Sequence, residues 1–122
     1  MKELAAREIR SYKKGEKPLN KEELADLLSA LPDWKIVERE GIPRLERSFH
    51  FPDFQGALDF AAQVGEKAEE ADHHPAILIS WGRAAVSWWT HAVNGLHEND
   101  LIMAARTDQL YQDNYPVEEE DA

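Results

Sequence analysis

The chain has 122 residues, 43% hydrophobic and 31% charged, an ordinary composition for one compact domain that can bury a core unaided. It contains no cysteine, which excludes a disulfide framework, a thiolate nucleophile and any zinc site built on sulfur, and fits a reducing cytosol. The formal net charge of −10 argues against a nucleic-acid partner, because the phosphate backbone would repel the domain.

The charge is unevenly placed. Lys2, Arg7, Arg10, Lys13, Lys14, Lys17 and Lys21 crowd the first stretch, while the sequence closes on Glu118-Glu119-Glu120-Asp121. Residues 1–18 are therefore expected to form a charged, partly disordered lead, 19–115 the domain, and 116–122 an acidic tail. No run of about 18 apolar residues offers a membrane span, and the first residues lack the apolar stretch of a secretory signal. A cytoplasmic protein is expected.

Regular structure is predicted to begin near Asn20. Asn20 and Glu23 have the spacing of a capping box, and Leu24, Leu27, Leu28 and Leu31 follow at helical intervals until Pro32-Asp33. Residues 34–39 and 44–51 read as strands around Gly41-Ile42-Pro43. In the second of these, Leu45, Arg47, Phe49 and Phe51 share one face and Glu46, Ser48 and His50 the other, so Arg47 interrupts an apolar face. Asp53 suits the cap of a long helix with Phe54, Ala57, Leu58, Ala61, Gly65 and Ala68 as its core stripe, ending near Glu70 or Ala71 ahead of Pro75. A second hairpin is predicted from residues 76–81 and 84–91 around Gly82-Arg83, and a last helix from near Asn99 carries Leu101, Ile102, Ala104, Ala105 and Leu110. The expected fold is α+β: a four-stranded antiparallel sheet with helices packed on one face, in the order α-β-β-α-β-β-α.

Five histidines are present: His50, His73, His74, His91 and His97. In an antiparallel hairpin, residues equidistant from the turn face each other. If the second hairpin pivots on Gly82, His73 lies nine positions before it and His91 nine after, with His74 opposite Thr90. Glu69 precedes His73 by four residues, and Asp100 starts the last helix, where peptide dipoles favour a negative charge. Three imidazoles flanked by two carboxylates can donate and accept protons near neutral pH. Each member also has a plainer role, since paired histidines before a proline often end a helix, Asp100 can be only a cap, and Glu69 can belong to a solvated face with Glu66 and Glu70. The hairpin arithmetic favours the acid–base cluster; His50 and His97 have no such support and are expected on the surface. A zinc or iron site from His73, His74, His91 and a carboxylate is the rival, disfavoured because adjacent residues in extended chain point apart. Trp81, Trp88 and Trp89 crowd the same hairpin, and Trp81 near its tip is the tryptophan left most free of the core to face a planar ligand.

Together Glu69-Glu70-Ala71-Asp72-His73-His74-Pro75, Ile79-Ser80-Trp81-Gly82, Trp89-Thr90-His91, Gly95-Leu96 and Glu98-Asn99-Asp100 with Ala104-Ala105 resemble the bacterial pterin-4a-carbinolamine dehydratases, over roughly residues 19–111. The resemblance implies dehydration of 4a-hydroxytetrahydropterin, such as 4a-hydroxytetrahydrobiopterin, to the quinonoid dihydropterin. That reaction recycles the tetrahydrobiopterin cofactor of aromatic amino-acid hydroxylases. By position, His73, His74 and His91 are then the active-site histidines, Glu69 and Asp100 support them, and Pro75, Trp81, Thr90, Ala92 and Val93 join His73, His74 and His91 around the pterin. The pterin is the substrate, and neither metal nor cofactor is implied. The resemblance also implies a homodimer or homotetramer, consistent with the open edges of such a sheet. The alternative in another class is a non-catalytic binding or assembly factor on the same fold, like transcription cofactors or Rubisco assembly proteins. Retention of all three histidines speaks for the enzyme.

Overall fold

Two β-hairpins, joined along their inner strands, make the sheet. In the computed structural model, which describes residues 2–13 and 15–115, β1 (Lys35–Arg39) and β2 (Ile42–His50) turn on Glu40 and Gly41. Both turn residues have positive φ, 56° and 77°, as a two-residue hairpin loop matched to strand twist requires. Ile42 and Pro43, expected in the turn, belong to β2 instead. Pro43 faces Glu38 in the part of β2 that precedes its pairing with β4, so a residue without an N–H is tolerated there. β3 (Ala76–Ser80) and β4 (Arg83–Trp88) turn on Trp81 and Gly82, the latter at φ 70°. The sheet order is β1-β2-β4-β3, antiparallel throughout.

The helices are α1 (Lys2–Ala5), α2 (Lys21–Leu28), α3 (Phe54–Ala71) and α4 (Glu98–Asn114), with a 3₁₀ turn at His91–Val93 before α4. The expected order α-β-β-α-β-β-α is present, with α1 in addition. Helix α2 starts on the predicted capping box of Asn20 and Glu23 but ends at Leu28, and Leu31, the most buried of its leucines, lies in the turn beyond it.

Leu45, Phe49, Val86 and Trp88 on one sheet face are fully buried, and α3 and α4 cover them. Asp53 caps α3 as predicted, accepting the Gly56 N–H at 2.8 Å. The buried stripe is Ala57, Phe60, Ala61, Val64 and Ala68, while Phe54 and Leu58 face outward. Phe60 sets this phase. Its ring packs 4.9 Å from Phe49 and 5.3 Å from Phe51, so rotating the helix toward Phe54 would remove the largest side chain of the stripe from the core. Arg47 finds its partner inside the chain: Nη1 lies 2.6 Å from Asp108 Oδ1, which also accepts the Trp34 indole N–H at 2.8 Å. Burial pushes the Asp108 carboxyl up, and the Trp34 and Arg47 contacts oppose that shift.

Among its described residues, the lead docks through a few side chains. Leu4 and Ala5 are buried, α1 rests on α4, and the Arg106 guanidinium donates to the carbonyls of Ala5 and Arg7. Three apolar residues among the charges, Leu4, Ala5 and Ile9, supply the burial that net polarity concealed. The acidic tail expected at 116–122 lies outside the described residues. Among the described residues no helix is long and apolar enough to cross a membrane.

Candidate active site

The site begins where α3 stops. Asp72 takes a left-handed conformation (φ 51°) and its N–H reaches the carbonyls of Ala68 and Glu69, while the His73 N–H returns to the Ala68 carbonyl at 3.1 Å. This reversal separates the adjacent histidines. His73 turns inward and is 6% exposed; His74 turns out, with 54% of its side chain exposed. The ladder of β3 and β4 pairs Ala76 with Ser87 and Ile77 with Val86. Continued outward, that register sets His73 level with Thr90, one residue short of the predicted partner His91. The turn contains both Trp81 and Gly82, so its centre falls between them rather than on Gly82.

Every polar atom of the His73 ring is occupied. Nε2 lies 2.6 Å from Asp100 Oδ1, Nδ1 lies 2.9 Å from the Tyr12 hydroxyl, and the ring stacks parallel to Trp88 at 5.7 Å between centroids. Asp100 is fully buried in the first turn of α4, where the helix dipole favours its charge. Its second oxygen accepts the Thr90 hydroxyl at 2.7 Å and the His97 N–H at 2.9 Å. A buried carboxylate with three donors aimed at it is fixed in place and in turn orients the imidazole it touches.

The outer histidines are less constrained. His74 Nε2 meets Glu69 Oε2 at 2.6 Å with both side chains largely exposed, so Glu69 braces His74 and not the buried ring. His91 opens the 3₁₀ turn, in a loop closed by the Thr90–Gly95 bridge, and is exposed. His73, His74, Thr90, His91 and Ala92 line one cleft of about 250 Å³. That is below the roughly 300–1,000 Å³ usual for drug-sized ligands and limits the cleft to a small molecule.

Three expected contacts are not brought there. Trp81 sits at the hairpin tip, 74% exposed, seven residues beyond His74 along extended chain and so roughly 20 Å away. Pro75 leads into β3 without lining the cleft, and the Val93 side chain is buried under the 3₁₀ turn. The aromatic wall is Trp89 instead, with the Arg44 guanidinium 3.9 Å over its ring. Strand alternation carried that signal, since Trp88 points to the core and its neighbour must point away.

His97, expected on the surface, is buried and caps α4. Its Nδ1 accepts the Asn99 N–H at 3.0 Å and its Nε2 donates to Glu16 Oε2 at 3.0 Å. Burial is the main cause that pushes the ring below its usual value, with Arg10 adding to it and Glu16 opposing. An accepting Nδ1 requires that neutral ring. The His97-x-x-Asp100 spacing is itself a capping box, legible in the sequence once histidine is admitted as a cap. Among the described residues no three His, Asp or Glu side chains are grouped so as to hold one metal ion.

A family model described as pterin 4 alpha carbinolamine dehydratase matches residues 17–110. The chain belongs to that family. A protein of Microcystis aeruginosa named "Putative pterin-4-alpha-carbinolamine dehydratase" is 52% identical over 112 residues, 92% of this chain and 97% of that one. A protein of Chlorobium luteolum with the same name is 48% identical over 113 residues, 93% of this chain and 99% of that one. Among solved structures, a transcriptional coactivator/pterin dehydratase from Brucella melitensis superposes with TM-score 0.69 at 36% identity, covering 77% of this chain and 98% of that chain. A pterin dehydratase-like protein described as a RuBisCO assembly factor in the alpha-carboxysome shares the fold, with TM-score 0.54 at 22% identity over 64% of this chain and 88% of that chain. This pterin dehydratase family member therefore has relatives named for catalysis and for transcription, while the assembly factor shares its fold.

Proposed function

We propose that this protein dehydrates 4a-hydroxytetrahydropterin to quinonoid dihydropterin by histidine acid–base catalysis, in the recycling of tetrahydrobiopterin. The observation that carries the reading is His73 braced at 2.6 Å by the buried Asp100 on a cleft shared with His74 and His91. The substrate carries a hydroxyl on the carbon beside a ring nitrogen. Its loss needs a proton at the departing oxygen and removal of a proton from that nitrogen.

His73 and His91 serve as the two proton-transfer groups, and His74, steadied by Glu69, holds the pterin against Trp89. Asp100 keeps the His73 Nε2 protonated and offsets the positive charge when the ring becomes imidazolium, the role a buried carboxylate plays behind a catalytic histidine. Thr90 and the His97 N–H keep the Asp100 carboxylate aimed. Pterin enters as substrate, and the mechanism calls on no metal or cofactor.

The reaction belongs in the cytoplasm, in service of an aromatic amino-acid hydroxylase. A homodimer or homotetramer is the assembly we expect, because β1 and β3 are open sheet edges and Leu78 on β3 is 62% exposed. The rival reading, a non-catalytic binding or assembly factor, draws on the names of the two similar structures. A fully hydrogen-bonded Asp100 behind a retained histidine favours the enzyme.

The test is stopped-flow absorbance on freshly generated 4a-hydroxytetrahydropterin. The protein should accelerate dehydration above the spontaneous rate, and His73→Ala or His91→Ala should each reduce kcat by roughly 10²–10⁴-fold. Dehydration no faster than in buffer would reject the function, and parent turnover in both variants would reject the assigned roles.

A further inference from the structure

The family match begins at residue 17, yet the segment before it reaches the buried histidine. That segment is fastened by specific contacts on both sides of Tyr12. On one side the Asn99 side chain clamps the Arg10 backbone, accepting its N–H at 3.2 Å and donating to its carbonyl at 2.8 Å. On the other, Glu16 accepts from the Arg10 guanidinium at 2.8 Å, the Lys13 N–H at 3.0 Å and His97 Nε2 at 3.0 Å. Farther along, Pro18 packs on Gly95, where a Cβ would come within 3.1 Å of the proline ring, and the Leu19 N–H donates to the Leu96 carbonyl at 2.8 Å. Between these anchors Tyr12 lies edge-on to His97 at 4.9 Å and lines the same cleft as His74 and His91.

Hydrogen-bond roles follow from the partners. A carboxylate only accepts, so His73 Nε2 carries a proton toward Asp100, and in the neutral ring Nδ1 is the acceptor for the Tyr12 hydroxyl. Neither ring nitrogen is then free to touch a ligand in the cleft. A histidine so enclosed can exchange protons with a substrate only through what covers it.

We propose that the Tyr12 hydroxyl is the group that meets the substrate on behalf of His73, as the outer member of a chain Asp100–His73–Tyr12. The proposal rests on the dehydratase reading and deepens it. With His73 protonated, the 2.9 Å bond reverses: Nδ1–H donates to the phenol oxygen, and the hydroxyl proton turns to the departing oxygen. As the carbon–oxygen bond breaks, its electron pair leaves with oxygen, the Tyr12 proton completes a water molecule, and the His73 Nδ1 proton replaces it on the phenol. The neighbouring ring nitrogen uses its lone pair to form the C=N bond and yields its proton to His91. His73 ends neutral and His91 charged, and exchange with solvent restores both.

Tyr12→Phe removes one oxygen and keeps the ring that packs on His97. In the full chain we expect kcat to fall by roughly a hundredfold with KM nearly unchanged. We also expect the ¹⁵N resonance of His73 Nδ1 to move toward that of an imidazole nitrogen without a hydrogen bond, while amide spectra away from the segment stay the same. Parent kcat, or a raised KM with parent kcat, would overturn the relay. An unmoved Nδ1 resonance would overturn the bond beneath it. If the unmodified protein does not accelerate dehydration, the functional reading fails, and the ¹⁵N measurement still decides whether Tyr12 governs His73.

Discussion

His73 and His74 are neighbours in sequence and opposites in environment. His73 is enclosed, with one nitrogen on a buried carboxylate and the other on a phenol. His74 pairs with an exposed glutamate at the same 2.6 Å, but in water, where such a pair is held weakly and is screened by salt. Equal distances therefore describe unequal constraints. The inner pair fixes a tautomer, while the outer pair leaves a ring that is free to reorient. One left-handed residue, Asp72, creates the difference by turning the two side chains to opposite sides of the cleft wall.

Asp100→Asn should sharpen this contrast most. The buried carboxylate accepts three hydrogen bonds on two oxygens, and an amide has only one oxygen to offer. Either a donor is left facing an NH₂ group or His73 shifts its proton to Nδ1. Turnover should fall by roughly 10²–10⁴-fold, and unfolding in urea should show about 1–3 kcal/mol lost from an unsatisfied buried group. Parent turnover in this variant would put His73 on the same footing as His74.

Acidification should act on the inner side through the segment that carries Tyr12. The Arg10 guanidinium and the Lys13 N–H hold the Glu16 carboxyl at about 2, against 4.5 ordinarily. A depressed carboxyl stabilises the fold fully above its unfolded value and loses that contribution as pH falls from about 4.5 through about 2. His97 is pushed below its ordinary 6.5, chiefly by burial, so its neutral burial is also favoured above that value and opposed below it. Both signs agree: the segment loosens as pH falls. Nuclear Overhauser contacts between Tyr12 and His97 should weaken before those between Phe49 and Phe60 in the core; simultaneous loss would show that the segment is no separate unit.

The smallest effect belongs to Glu69→Gln. Both partners are mostly exposed, the amide can still bond His74, and pairs of this kind contribute about 0–1 kcal/mol. We expect kcat unchanged and KM raised by at most about fivefold, read from the same stopped-flow assay. A loss comparable to that of Asp100→Asn would erase the distinction between the two histidines.

Much of this architecture was legible before any coordinates. Caps at Asn20 and Asp53, the two hairpins and the pairing of His73 with the strand leading to His91 follow from local rules: side-chain acceptors at helix starts, glycine at turns, and symmetry about a turn. The register differs by one residue from symmetry about Gly82 because Trp81 shares the turn. Periodicity alone does not set the phase of α3, because Phe54 and Leu58 fit a helical stripe as well as Phe60 and Val64 do, and only contact with Phe49 and Phe51 decides between them. Tyr12 and His97 could not be placed by periodicity. Their partners, His73 and Glu16, lie 61 and 81 residues away in sequence, and a charged segment gives no local sign that a few apolar residues will dock it.

On the proposed function, a pterin binds between the buried and the exposed histidine. Titrating the ¹⁵N-labelled protein with a stable dihydropterin and following its amide and imidazole resonances tests this directly. Perturbations should be confined to the cleft, at Tyr12, His73, His74 and the stretch from Trp89 to Ala92, with Leu78 and Trp81 unmoved. Perturbations centred on the open sheet face around Leu78, with the histidine rings silent, would contradict it.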